Sequence, residues 1–397
     1  MALVGPERLL PTPGGYDPRL IQRASEEGRV RGIGLALLQE IDADPLKADP
    51  ILRRGMREAR ALHSQERRFV ADTLYALLRH RRVLGADPVH AWDAWLAVQR
   101  GEPVSATLPE NPVEVLQFLG NISRTFATEL LASVADPVAF LAASNDRAPL
   151  CIRVNRLKTT TERLLSTLGT QGVEIHPSTR CDDALFVGRN FNLVASPEWK
   201  SGQFEVQDEG SQLVGREVPL GSTVVDYCAG AGGKTLQLAS RMENAGRLFA
   251  FDVRQRALEE LSERAHRAGV KNLTVHLLGS GAIPLSKSSC DVVFVDAPCS
   301  GSGTLRRHPE LRLRIDEDHL QEMTGLQLNI LKRAQTLVKP GGHLAYATCS
   351  VLKRENEHVI ASFLEDSPEW SLEGAQRWSP EVDGTDGFFL AKLRKTS

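Results

Sequence analysis

The spacing of hydrophobic positions changes twice along the chain. From Arg19 to about Asp146 they recur every three or four residues, as at Val70, Leu74, Leu77 and Leu78, which predicts a helical region. Asp44-Pro45, Asp49-Pro50, Asp87-Pro88, Asn111-Pro112 and Asp136-Pro137 punctuate it and read as turns or helix starts. The residues up to about position 20 are rich in Pro and Gly and read as a loose tail. Between Arg147 and Gly221 the segments shorten. Cys151–Leu157 reads as a strand, Thr160–Gly172 as a helix, and short strands and turns run on to Gln203–Gly215, giving a small α/β module. From Ser222 strands and helices alternate. Thr223–Cys228, Arg247–Val253, Asn272–Leu278 and the almost wholly apolar Cys290–Ala297 read as buried parallel strands, and His343–Ser350 as another after a long helix over about Asp316–Val338. The alternation predicts an α/β fold, a doubly wound parallel sheet with right-handed crossovers.

Length and charge refine this picture. At roughly 100–200 residues per domain, 397 residues make two or three. Lys+Arg 48 against Asp+Glu 50 gives a net charge of -2, so any attraction to nucleic acid must be local. One local excess exists. Arg53, Arg54, Arg57, Arg60, Arg67, Arg68, Arg79, Arg81 and Arg82 are opposed only by Glu58, Glu66 and Asp72. This is either a phosphate-binding stripe or a solvated helix face. Six cysteines without a C-x-x-C pair exclude a disulfide scaffold and a zinc knuckle. His308, His319, His343 and His358 lack ligand-like spacing, so no metal is expected. With no run of 18 apolar residues and no signal-peptide pattern, the expectation is a reduced cytoplasmic protein with no membrane association.

The turn after the first strand of the alternating region is Cys228-Ala229-Gly230-Ala231-Gly232-Gly233-Lys234-Thr235. It ends like a Walker A loop, but Cys228 stands where that loop needs its first glycine. A nucleoside-cofactor turn fits better. Its glycines let the backbone pass close under a ligand, and Asp252, twenty residues after Gly232, ends the second strand where a carboxylate can accept ribose hydroxyls. This does not separate a dinucleotide from S-adenosylmethionine. Two further motifs sit just past strand ends: Asp296-Ala297-Pro298-Cys299-Ser300-Gly301 and Thr348-Cys349-Ser350. If those strands are neighbours, both thiols face one crevice.

These motifs, with Arg306-Arg307-His308-Pro309-Glu310 and Glu355-Asn356-Glu357, resemble the RsmB-like (Sun/Nop, Fmu) RNA cytosine-5 methyltransferases. Arg153-Val154-Asn155 with Lys158, and Val206-Gln207-Asp208-Glu209 with Ser211, resemble the family's small domain. Asp386-Gly387-Phe388-Phe389 resembles its last strand, and the region around Gln65–Arg79 its NusB-like helical domain. The resemblance implies a division into residues 1–145 (NusB-like, RNA-binding), 146–220 (small α/β, RNA-binding) and 221–397 (class I Rossmann-like methyltransferase). It implies S-adenosyl-L-methionine as cofactor, held by Cys228 to Lys234, Asp252, Ser280 and Asp296. Ser280 stands where the family usually has an acid.

The resemblance also implies Cys349 as the nucleophile that adds to cytosine C6, Cys299 as the cysteine that assists product release, Asp296 on the base edge and Lys234 in electrostatic support. DNA cytosine-5 methyltransferases resemble only the Pro298-Cys299 half, so the second motif points to RNA. Arg306, Arg307, His308, Asn155 and Lys158 are expected RNA contacts, joined by Arg312 and Arg314, on an unstacked cytosine. Ribosomal RNA of the 16S type is the expected substrate and a monomer the expected state. Transfer RNA, or a non-catalytic RNA-binding factor that keeps the fold, remain open.

Overall fold

Three of the five Asx-Pro pairs start α-helices, while Asp44-Pro45 opens a short 3-10 turn and Asp49-Pro50 lies within the first turn of the helix that follows it. In the computed structural model, which describes residues 15–103, 107–188, 191–279 and 283–396, Asp87, Asn111 and Asp136 are N-caps whose side chains accept from His90, Val113 and Ala139 backbone N–H groups, each with Pro in the first turn. Asp17 does the same for a helix that begins at Pro18, one residue before the helical pattern. The N-terminal helices are α1 Pro18–Ser25, α2 Arg29–Ala43, α3 Ala48–Glu58, α4 Ser64–Leu84, α5 Pro88–Gln99, α6 Pro112–Gly120, α7 Arg124–Ser133 and α8 Pro137–Asn145. Val70, Leu74, Leu77 and Leu78 are all buried, with Phe69, Trp92 and Leu96, in one core. Trp92 Nε1 donates to the Ala24 carbonyl at 3.1 Å, which satisfies the one polar atom of that ring.

The chain divides into two compact units, and the first is not contiguous in sequence. Residues up to Arg147 fold together with Ser300–Leu320, while Ala148–Cys299 and Gln321–Ser397 form the second.

In the second unit, β1 Cys151–Val154, α9 Thr161–Thr170, β2 Ile175–Pro177, β3 Ala184–Val187, α10 Pro197–Lys200 and β4 Phe204–Val206 build an antiparallel sheet of order β2-β3-β1-β4 over its own core. The following segment is a helix, α11 Glu209–Glu217, rather than strand and turn, because Asp208 caps its first turn. Then come β5 Thr223–Asp226, α12 Gly233–Arg241, β6 Arg247–Asp252, α13 Gln255–Ala268, β7 Leu273–Leu277 and β8 Cys290–Asp296. The short α14 Leu311–Arg314 belongs to the first unit, and α15 Glu317–Ala334 leads back to the second. β9 Val338–Thr348, α16 Glu357–Glu365, β10 Trp370–Trp378, α17 Pro380–Asp383 and β11 Phe388–Lys395 complete the chain.

The large sheet runs β10-β11-β9-β8-β5-β6-β7. The five strands from β9 to β7 are parallel, as the apolar runs predict. β11 is antiparallel to both β9 and β10, so the sheet is not parallel throughout. Strand order reverses between β5 and β8, which puts a crevice at their C-terminal ends.

Three contacts fasten the small sheet to the large one. Arg153 Nη1 donates to the Gly233 carbonyl at 3.1 Å. The Glu205 carboxylate pairs with Arg264 (2.9 Å) and Arg267 (2.5 Å). Asn155 Nδ2 donates to Gly202 and Ala268 carbonyls at 2.7 and 2.8 Å. Here Gly202 has φ +75°, and a Cβ on it would lie 2.1 Å from the Arg267 carbonyl oxygen. Gly202→Ala should therefore lower the thermal unfolding midpoint, with a cost of about 2 kcal/mol or more. A variant that melts with the wild-type chain would show that these segments do not meet.

Candidate functional site

The turn between β5 and α12 meets the end of β6 through backbone chemistry. Asp252 Oδ2 accepts from Gly230 N at 2.8 Å, and Oδ1 from Arg254 N at 2.9 Å. Gly230 and Gly232 have φ of +54° and +91°, which favours glycine at both. A Cβ on Gly232 would lie 2.1 Å from Leu261 Cδ1, so the turn also sits too tightly on α13 for any other residue. The carbonyls of Ala231 and Gly233 are taken by Arg264 Nη1 (2.6 Å) and Arg153 Nη1 (3.1 Å), which fixes the turn from behind.

At the strand-order reversal lies a cavity of about 1120 Å³. Cys228, Ala229, Gly230, Ala231, Gly233 and Lys234 line one side, with Asp226, Asp252 and Asp296 supplying carboxylates. Val253, Leu278, Ile283, Leu326 and Ile330 supply an apolar wall. A carboxylate at the end of the second parallel strand, a glycine turn and an apolar wall are the donor set that a nucleoside requires. Ser280 lies outside the described residues.

β8 and β9 are indeed neighbours, with Asp296 opposite Ala347. Each therefore carries its cysteine motif out at the same edge, and Cys299 Sγ stands 3.3 Å from Cys349 Sγ, both as free thiols. Lys234, in the first turn of α12, donates Nζ to Asp296 Oδ2 at 2.7 Å. Burial works against the Lys234 charge, yet Asp296, Cys349 and Asp226 together hold the ammonium above the usual lysine range. Asp226 is buried at the end of β5 and accepts from Thr235 Oγ1 at 2.6 Å. Burial pushes its carboxyl up to about 7.

The loop carrying Cys349 is held by residues whose part could not be assigned from the motifs. Thr348 Oγ1 donates to Asn356 Oδ1 (2.6 Å), Asn356 Nδ2 to the Ser350 carbonyl (2.9 Å) and Ser350 Oγ to Glu355 Oε2 (2.6 Å). Gln327 Nε2 bridges the Pro298 carbonyl (2.9 Å) and Glu355 Oε1 (3.1 Å), tying the two cysteine loops together. Only a polar residue beside apolar Leu326 and Leu328 in α15 marked Gln327 in the sequence.

The expected RNA contacts separate into two groups. Asn155 is buried, and its amide is spent on the two carbonyls named above and on the Leu157 N–H, so it braces the small sheet rather than facing RNA. Gln207 and Asp208 serve the α11 cap and a buried amide network. Arg306 and Arg312 are buried in the helical unit, which corrects their placement on an RNA surface. Lys158, His308 and Arg314 are exposed and Arg307 is partly so. In the arginine-rich stretch, Arg53, Arg54 and Arg81 pair with Asp49, Glu40 and Asp42. Arg57, Arg60, Arg68 and Arg82 are exposed, without an ion pair among the described residues.

Among the described residues no cluster suits a metal ion, and no single helix is long and apolar enough to cross a membrane.

A family model described as 16S rRNA methyltransferase RsmB/F matches residues 218–394, and the ferredoxin-like domain model of the RsmF/B-like methyltransferases matches residues 136–193. The probable ribosomal RNA small subunit methyltransferase B of Bacillus subtilis is 31% identical over 265 residues, 62% of this chain and 59% of that protein. The ribosomal RNA small subunit methyltransferase B of Cronobacter sakazakii is 34% identical over 65% of this chain and 62% of that protein. The chain thus matches about six tenths of the length of these curated relatives. The solved methyltransferase homolog protein from Pyrococcus horikoshii is 29% identical, with a TM-score of 0.61 over 69% of this chain and 95% of that one. Both family models, the glycine turn and the paired cysteine loops lead to one assignment: the chain belongs to the RsmB-like (RsmB/F) family of S-adenosylmethionine-dependent methyltransferases.

Proposed function

We propose that the protein methylates C5 of a cytosine in small-subunit ribosomal RNA, with Cys349 as nucleophile and Cys299 as the residue that assists release. The observation that carries this reading is the pair of thiols 3.3 Å apart beside the Lys234–Asp296 pair. Cytosine C5 is a poor nucleophile. Addition of the Cys349 thiolate to C6 breaks the C5–C6 double bond and places electron density on C5. The turn from Cys228 to Gly233 and Asp252 would hold S-adenosylmethionine, which would supply the methyl group that C5 takes up and leave as S-adenosylhomocysteine. A base then takes the C5 proton, the C5–C6 double bond re-forms and the C6–sulfur bond breaks, releasing Cys349 as thiolate and freeing the enzyme.

Other groups have parts in this reading. The Lys234 ammonium interacts electrostatically with Cys349 and brings a positive charge to the reacting sulfur. Asp296 sits at the base edge, where its carboxyl can accept from the N4 amino group and hold a proton towards N3, the atom that gains electron density as the ring is attacked. Cys299, within reach of Cys349, is placed to act in expulsion of that thiol. Lys158, Arg307, His308 and the exposed arginines of α3 and α4 offer charge for the RNA backbone. The names of the curated relatives favour ribosomal over transfer RNA.

Bisulfite sequencing of RNA from cells with and without this gene tests substrate and position together. Cys349→Ala should lower methyl transfer by at least about a thousandfold. Cys299→Ala should instead accumulate an RNA–protein adduct that survives denaturing electrophoresis. An adduct that depends on Cys299 would reverse the two roles. Protected cytosines lost only from transfer RNA would move the substrate. No loss anywhere would favour a binding factor that keeps the fold.

Asp226 gives a pH dependence. Its carboxyl titrates near 7 in the folded chain against 3.8 when unfolded, so between those values the folded state keeps a proton that the unfolded chain has released. That contribution to stability is complete below 3.8 and is lost as pH rises through about 7. Asp226→Asn should therefore flatten the wild-type loss of stability over this range, read as urea midpoints at several pH values. Parallel curves for the two proteins would refute the assignment.

A further inference from the structure

Asp296 and Ala347 are the last pair in register between β8 and β9, and one further bond, from Ala297 N to the Ala347 carbonyl at 2.8 Å, closes the ladder. Pro298 has no N–H with which to extend it. Beyond this point the chain runs into Cys299 on one side and Cys349 on the other. A relay of side chains takes over there. Gln327 Nε2 donates to the Pro298 carbonyl (2.9 Å) and to Glu355 Oε1 (3.1 Å), and Glu355 Oε2 accepts from Ser350 Oγ (2.6 Å). The residue before Cys299 is thereby joined to the residue after Cys349. Glu355 is itself anchored, because its carbonyl accepts from Tyr346 Oη in β9 at 2.7 Å. Gln327, Glu355 and Ser350 are fully buried, and all belong to the second unit.

Glutamine is a costly residue for this place. Its Oε1 is buried without a hydrogen-bond partner among the described residues, so it gives up hydration without return. Its neighbours Leu328 and Leu331 pack into the apolar core, and methionine or leucine at 327 would fill a similar volume without that cost. What the amide alone offers is two N–H groups on one nitrogen, aimed at two acceptors, one for each cysteine loop. The partners also fix which atom is the nitrogen, since an oxygen there would face two acceptors. The Cys349 loop has a further anchor: Asn356 holds the Ser350 carbonyl and the Thr348 hydroxyl. Loss of the Gln327 amide thus leaves the Cys349 loop on Asn356 and takes the Pro298 carbonyl away from it.

We propose that Gln327 is a positioning residue for the release step: by tying Pro298 to Glu355, it sets the distance of Cys299 from Cys349, 3.3 Å between the sulfurs. The inference rests on the proposed covalent reading, in which Cys299 assists expulsion of Cys349. Groups held in near-contact react as if present at very high concentration, and a displacement of about 1 Å is costly in rate. Addition of Cys349 to the base and methyl transfer need the Cys349 loop, which Asn356 keeps in place. Expulsion needs both sulfurs in register, so it is the step that Gln327 governs.

The test uses the full chain, an unmethylated small-subunit ribosomal RNA transcript and S-adenosylmethionine. Cys299→Ala is the reference for adduct accumulation. Gln327→Met keeps the volume and removes both donors. It should accumulate the adduct and lower kcat by about tenfold to a hundredfold, while methyl incorporation in the first turnover stays within about threefold of wild type. A second readout needs no RNA. Diamide, an azo oxidant, takes two electrons and two protons from a pair of thiols, leaving a disulfide and the hydrazine, and peptide mass mapping identifies the pair. The Cys299–Cys349 disulfide should form at least about fivefold more slowly in Gln327→Met than in wild type. Gln327→Asn, with the amide on a shorter stem, should show the same changes in smaller degree, and it decides if Gln327→Met does not fold. Normal turnover in a folded variant, a first-turnover rate that falls in parallel with kcat, or an unchanged rate of disulfide formation would overturn the proposal. So would lower turnover without adduct while Cys299→Ala accumulates it. If Cys299→Ala itself gives no adduct, the covalent reading fails and takes this inference with it, and the reference variant tells the two failures apart.

Discussion

Lys234 and Asp296 sit 2.7 Å apart, with the lysine side chain largely withdrawn from water. Two charges so placed hold each other, and removing Asp296 would leave a largely buried ammonium uncompensated. One partner belongs to the first turn of α12 and the other to the end of β8. The pair therefore locks the glycine turn to the first cysteine loop. The ammonium also lies 5.3 Å from the centre of the Phe388 ring on β11, so the antiparallel edge added to the parallel sheet closes over the same charge. The cavity and the thiols meet at this lock, since Lys234 and Asp296 line the cavity while Lys234 also interacts with Cys349.

The parallel sheet was legible because its strands are short apolar runs separated by helices and glycines, and that pattern has few other solutions. The meeting of the two cysteines was legible only conditionally. Cys299 and Cys349 are fifty residues apart in sequence, and spacing alone does not say that β8 and β9 are neighbours. Asp226 was missed for a related reason. It looks like one more strand-end residue, and its burial under α12 is a property of packing. The helix at Glu209–Glu217 was also missed: Gly210, Ser211 and Gly215 are weak helix formers, and the Asp208 cap and burial against the sheet override them.

Arginine was the least readable residue. A sequence rich in arginine invites a nucleic-acid reading, but charge count does not reveal where the side chains go. Arg153, Arg306 and Arg312 are buried, and Arg79 reaches an internal carbonyl. Arg79, Arg153 and Arg312 face backbone carbonyls near helix ends or turns, where a forked donor replaces missing main-chain partners. Asn155 lost its expected place on the RNA in the same way. Arg57, Arg60 and Arg68, at the corner of α3 and α4, keep the solvent exposure that a phosphate contact requires.

The discontinuous helical unit also governs the order in which the chain can take shape. Arg79 and Arg312 are 233 positions apart, so the bond between them joins early and late parts of the polypeptide. During synthesis the first eight helices leave the ribosome long before the loop that completes them, and the sheet strands up to β8 emerge in between. An N-terminal domain ordinarily closes on itself as it appears. This one waits, with the acceptors that Arg312 uses at Gly120 and Asn145 turned to water or transient partners, until two thirds of the rest has been made. Long-range closure of this kind is slow. A chain halted before position 312 would carry eight helices without the residue that ties them together.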